Sequence, residues 1–157
     1  MPMDSWNERY VRLEELMPLI REQLAEGKSV KFSPRGTSML PMLRQGVDRV
    51  ILSPLPEKLK KYDLPLYQRD NGQFVLHRVI KTGKTYTCMG DNQFTPEHGL
   101  RPDQMIAVVT AFCRGDNEIP VTAISYRIYC HLWYYSRPMR HLWRRSLAWL
   151  CRHLNRK

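Results

Sequence analysis

The chain has 157 residues, 43% of them apolar and 25% charged, with 25 Lys and Arg against 15 Asp and Glu for a formal charge of +10. That length and composition fit one globular domain with appendages and exclude a disordered or fibrous protein. The longest run without a charged residue, Gln104 to Cys113, spans ten residues, whereas a transmembrane helix needs about 17 to 25.

The opening segment, Asp4 to Glu26, carries Trp6, Tyr10, Leu13, Leu16, Met17, Ile20 and Leu24 at spacings of three and four. This predicts an amphipathic helix, capped by Asp4 or Ser5, ended by Gly27, and kinked or split by Pro18. Six charges in the first 20 residues do not suit a cleaved export signal. The four scattered cysteines (Cys88, Cys113, Cys130, Cys151) suit reduced thiols better than a disulfide framework. The expected setting is therefore the cytoplasm.

From Val30 to about Val121 short extended runs alternate with turn residues, so this stretch is expected to be mainly β. The predicted strands are Val30 to Phe32, Val50 to Leu52, Leu64 to Arg69, Phe74 to Ile80, Thr85 to Met89 and Met105 to Phe112. Asn71-Gly72 marks a hairpin, since both residues tolerate positive φ. Ser53 to Pro65 reads as an exposed loop. The chain thus divides into an N-terminal helical segment (1–27), a β domain (28–121) and a helical tail (122–157).

All 15 acidic residues precede Val121, and eight basic residues follow it. Met139, Leu142, Trp143, Leu147, Leu150 and Leu154 form an apolar stripe with arginines opposite, and a second helix is expected upstream around Ile124, Ile128 and Leu132. Two readings stay open for this tail. It packs on the β core with a solvated arginine face, or residues 136–157 lie on an anionic membrane surface, placing the protein at the inner face of the membrane. No nucleic acid is expected, because the aromatics cluster with the apolar stripe rather than along the arginines. Cys130-His131 and Cys151-x-His153 lack a recurrent zinc spacing, so neither a metal nor another cofactor is expected.

Three strings carry the parts of an acyl-transfer site: Gly36-Thr37-Ser38-Met39-Leu40-Pro41, Leu76-His77-Arg78-Val79 and Met89-Gly90-Asp91-Asn92. Singly, Ser38 and Asp91 read as turn residues and His77 as a packed one. Strand alternation places Val75, His77 and Val79 on one sheltered face, where desolvation favours the neutral imidazole that a general base needs. A three-residue loop after Lys81 would pair 77 with 89 and 75 with 91, making Asp91 a diagonal neighbour of His77. A two-residue loop would turn Asp91 to the other face.

In this order the strings resemble the boxes of the S24/S26 serine peptidases, the superfamily of signal peptidases and LexA-like self-cleaving repressors, over roughly Lys31 to Phe112. The resemblance implies an S24/S26-type β core and a serine endopeptidase acting on a peptide or protein precursor. It makes Ser38 the nucleophile, with Met39 and Pro41 completing its box. His77 stands where most bacterial members have lysine, similar to the Ser-His branch of signal peptidases, and Asp91 is its implied support. Gly36, Thr37, Met39 and Pro41 are the implied oxyanion and substrate-binding residues. Gly46-Val47-Asp48 is one residue longer than the Gly-Asp pair of the family, and a second downstream acid has Glu97 or Asp103 as its counterpart. The alternative is a catalytically inactive adaptor at the membrane surface that binds an extended peptide on the same β core.

Overall fold

A computed structural model describes residues 13–154; the expected Asp4 or Ser5 cap, Trp6 and Tyr10 lie outside the described residues. Helix α1 (Leu13–Ala25) passes through Pro18 as one helix and buries Met17, Ile20 and Leu24. It ends at Gly27, with φ +76°. There the N–H groups of Gly27 and Lys28 donate to the Leu24 and Gln23 carbonyls at 3.0 Å, a left-handed cap that satisfies the last turn.

Nine strands follow: β1 (Val30–Phe32), β2 (Asp48–Ser53), β3 (Pro65–Gln68), β4 (Phe74–Leu76), β5 (Arg78–Lys81), β6 (Tyr86–Met89), β7 (Glu97–Leu100), β8 (Met105–Arg114) and β9 (Asn117–Pro120). They form two antiparallel sheets, so the described residues are mainly β with three α-helices, as expected. The larger runs β1-β2-β8-β3-β4 with β9 also on β8, and the smaller runs β5-β6-β7. The ten-residue β8 organises the larger sheet, with β2 along one edge and β3 and β9 in succession along the other.

Alternation along these strands separates two cores. Leu66, Leu76, Ala107 and Val109 join α1 in one cluster; Tyr67, Val75, Met105 and Val108 join Val79, Tyr86 and Cys88 of the smaller sheet in the other. Adjacent residues point to opposite faces, so β3, β4 and β8 serve both layers, whereas β1, β2 and β9 face the α1 cluster.

The Asn71-Gly72 hairpin forms, but with a three-residue loop. Arg69 N–H donates to Gln73 O and Gly72 N–H to Arg69 O, both at 2.9 Å, and only Gly72 (φ +86°) is left-handed. The predicted strand from Phe74 to Ile80 is divided. β4 belongs to the larger sheet and β5 to the smaller, and His77 sits at the crossing. Strands β7 and β9 were not expected: Glu-His-Gly-Leu and Asn-Glu-Ile-Pro show neither alternation nor β-branched enrichment, and their pairing partners alone hold them.

The tail forms α2 (Ile124–Tyr135) and α3 (Arg137–Leu154), joined through Ser136. Tyr126 and Cys130 of α2 enter the core beside α1. Among the described residues no helix is long and apolar enough to cross a membrane.

Candidate active site

Ser38 lies in a tight run of turns after β1. Leu40 N–H donates to Thr37 O at 3.2 Å and Leu43 N–H to Met39 O at 2.9 Å. Met39, Met42 and Leu43 are buried in the α1 core, so apolar burial roots the turn and leaves Ser38 half-buried at its surface. Behind it, Asp48 at the start of β2 is fully buried. Asp48 accepts from the Arg44 backbone N–H at 2.9 Å and from its guanidinium at 3.0 and 2.9 Å. Those Arg44 hydrogen bonds hold the Asp48 carboxyl below its usual range. The turn through Val47, whose N–H donates to Arg44 O at 3.2 Å, carries Asp48 into this anchoring pair.

The Gly90-Asp91-Asn92 string grips this turn directly. Asn92 N–H donates to Ser38 O at 2.8 Å, and Asn92 Nδ2 donates to Thr37 O at 3.1 Å. A Cβ at position 90 would lie 2.5 Å from Ser38 O, closer than any non-bonded contact allows, so only glycine lets the two segments meet.

Ser38 and His77 line one cleft of about 330 Å³, together with Gly36, Thr37, Met39, Arg69 and Gln93. His77 is 3% exposed. Burial, with Arg69 adding to it, pushes its pKa down to about 4, so the ring is neutral near pH 7. Its Nδ1 is 3.2 Å from Tyr67 Oη, and Tyr67 Oη donates to Glu97 Oε2 at 2.7 Å. Arg69 closes the chain with two contacts to Glu97 at 2.8 Å. Burial alone would raise the Glu97 pKa, but the hydrogen bonds from Arg69 and Tyr67 hold it below its usual range. A carboxylate only accepts, so the phenol spends its one proton on Glu97. His77 Nδ1 must then carry a proton and donate to Tyr67. That assigns the tautomer and leaves Nε2 as the basic nitrogen.

Asp91 does not take the place expected for it. Its two oxygens accept from Arg78 Nε and Nη2 at 2.7 and 2.8 Å, and Tyr129 Oη donates to it at 3.0 Å. Both charged side chains are buried, and Arg78 Nη1 also donates to Tyr126 Oη at 2.8 Å. The cause is register. Arg78 pairs with Met89 and Val79 with Cys88, with a bulge between Val79 and Lys81. This is one residue beyond the three-residue-loop register, and a single-residue slip changes which face each side chain meets. Asp91 thereby becomes the diagonal neighbour of Arg78 rather than of His77.

The supporting chain came instead from residues that sequence reasoning left unassigned to His77. Tyr67 pairs with Val75 across the β3–β4 hairpin, which makes it the same-face diagonal neighbour of His77. That relation was within reach, because the hairpin was marked by Asn71-Gly72. Glu97, one of the two candidate downstream acids, arrives through β7, where it pairs with Cys88; Asp103 is instead exposed beside Arg101.

The remaining residues divide. Gly36 has φ +95°, and its N–H is spent on Gln45 Oε1 at 2.8 Å, so it offers no donor to an oxyanion. Among the described residues no acceptor faces the backbone N–H of Ser38 or Met39. Met39 both fills the core and lines the cleft. Pro41 is exposed and lies outside the lining, so a substrate-binding role for it has no support in the geometry. No family model matches the chain, and no curated protein or solved structure matches it either.

Proposed function

We propose that the chain is a serine endopeptidase of the S24/S26 type, cleaving a peptide or protein precursor with Ser38 as nucleophile and His77 as general base. The observation that carries the reading is the shared cleft of Ser38 and His77, in which the imidazole is neutral and its Nδ1–H is held by Tyr67. The order of the three boxes and the two-sheet β core with flanking helices are compatible with that superfamily.

In the proposed reaction Ser38 Oγ attacks the substrate carbonyl carbon while His77 Nε2 takes the hydroxyl proton. The imidazolium that forms donates through Nδ1 to Tyr67, which leans on the Glu97 charge. The oxyanion is received by backbone N–H groups of the serine turn, those of Ser38 and Met39, with Thr37 beside them. The imidazolium then returns its proton to the leaving amine, and water repeats the cycle on the acyl-enzyme. Asp91 holds the frame through Arg78 and Asn92 holds the turn. The proposed setting is the cytoplasm, in keeping with Cys88, Cys113 and Cys130 as buried free thiols.

A fluorophosphonate probe tests this reading. It is expected to label the wild-type protein at Ser38 and to leave Ser38→Ala unlabelled, with labelling strongly slowed in His77→Ala. A folded wild-type protein that resists the probe, and a Ser38→Ala variant that binds peptide as well as wild type, would favour the non-catalytic adaptor.

A further inference from the structure

Helix α3 is mounted in the opposite sense to a helix that buries its apolar stripe. Its basic side meets the body of the protein. The Arg140 guanidinium lies 3.6 Å from the centre of the Trp133 ring and reaches Asp91 O at 3.4 Å. His141 and Arg144 lie against Phe94 at 4.8 and 5.4 Å. The apolar side faces solvent, with Met139 70% exposed and Leu142 and Trp143 each 67%. Neither the docked helix with a solvated arginine face nor a buried apolar stripe describes this arrangement. Helix α2 also leaves an aliphatic side in solvent: Tyr126 and Cys130 enter the core, whereas Ile124, Ile128 and Leu132 are exposed. Nine of the eleven large apolar side chains exposed among the described residues belong to these two helices, a concentration that marks an interaction surface.

Charge selects the occupant. From Val121 onward the chain has eight basic residues and no acid. Exposed Arg145 lies one helical turn from Leu142 and from Trp149, and exposed Arg127 one turn from Ile124. A second copy of the chain would bring like charges together on this face, whereas an anionic bilayer offers an apolar interior beneath negative headgroups. We propose that α2 and α3 seat the protein on an anionic lipid surface. The exposed aliphatic and tryptophan side chains enter the headgroup boundary, and Arg127 and Arg145 contact lipid phosphates. The body, with its Ser38 cleft, is carried on the other side of α3, where Arg140 and Arg144 touch the Asp91-Asn92 segment.

Flotation of the full chain with vesicles tests this without reference to peptidase activity. The wild-type protein is expected to float with equimolar phosphatidylglycerol and phosphatidylcholine, less so as salt rises. Leu142→Ser and Trp143→Ser are each expected to weaken binding about tenfold or more, from the apolar burial lost. Arg145→Glu is expected to weaken binding to the mixed vesicles while leaving the weak partition into pure phosphatidylcholine unchanged. All three positions are exposed, and unchanged thermal melts establish that the variants fold; Arg145→Glu alone suffices if the others do not. Failure of the wild-type protein to float, or flotation of Arg145→Glu and Leu142→Ser with the mixed vesicles equal to that of wild type, would overturn the proposal. A dimer that Leu142→Ser dissolves, in a protein that ignores vesicles, would assign the face to a second copy. Binding to a nucleic-acid duplex with no lipid binding would equally overturn it.

Discussion

The phenol of Tyr67 decides what His77 can do. Its only proton goes to Glu97, so it can act toward the imidazole only as an acceptor, and the proton on Nδ1 leaves Nε2 free to serve as base. Tyr67→Phe removes that acceptor while keeping the buried ring. It is expected to cost about 10²-fold in kcat/KM, within the 10²- to 10⁴-fold that a positioned base supplies. The distinguishing readout is ¹⁵N NMR of His77. The wild-type ring is expected to show Nδ1 protonated and Nε2 bare, and Tyr67→Phe a mixture of the two tautomers. An unchanged tautomer with unchanged activity would remove Tyr67 from the proposed mechanism.

At the scale of elements, the Arg78–Asp91 pair ties β5 to the end of β6, and α2 closes over it with Tyr126, Tyr129 and Cys130. A buried charge that loses its partner costs about 3 to 5 kcal/mol, because the remaining ion has no water to return to. Asp91→Ala is therefore expected to destabilise the fold by an amount in that range, measured by urea unfolding. Were Asp91 chiefly a support for His77, the same substitution would leave the unfolding midpoint nearly unchanged and remove activity. The carbonyl of Asp91 adds to this joint by accepting from Trp133 Nε1 at 2.8 Å, so α2 and the serine-gripping string are one mechanical unit.

For the molecule as a whole, the buried neutral His77 makes stability depend on pH. Its pKa is about 4 in the folded chain and near 6.5 when unfolded. Between those values the unfolded state binds more protons, so stability rises with pH. The contribution is complete above about pH 6.5, falls as pH drops toward 4, and is on the order of 3 kcal/mol. His77→Gln is expected to flatten the urea-unfolding stability profile across that window relative to wild type, with the carboxylates common to both cancelling in the difference. The same depression predicts that kcat/KM holds its plateau well below pH 6 and falls only as pH approaches 4. A limb centred near 6.5 would show that His77 is more hydrated than its burial implies.

Local signals in the sequence determined the element types. The three- and four-residue spacing of Leu13, Met17, Ile20 and Leu24 needs only its own periodicity to mark α1. Alternation around Val50 and Val75 marks strands, and Asn71-Gly72 marks a hairpin by its tolerance of positive φ at Gly72. The shelter of His77 was legible too, because Val75 and Val79 share its face. What the tertiary structure alone decided was which partners those faces meet. A bulge after Val79 shifted the β5–β6 register by one residue and gave Asp91 to Arg78. The β7 strand, silent in its own composition, carried Glu97 across to Tyr67. The orientation of α3 follows the same rule: its amphipathicity was plain from the sequence, but only contacts with Trp133 and Phe94 determined that the arginine side faces inward. Periodicity is a property of neighbouring residues, whereas register and docking are set by segments far apart in the chain, whose loop geometry and packing no local pattern records.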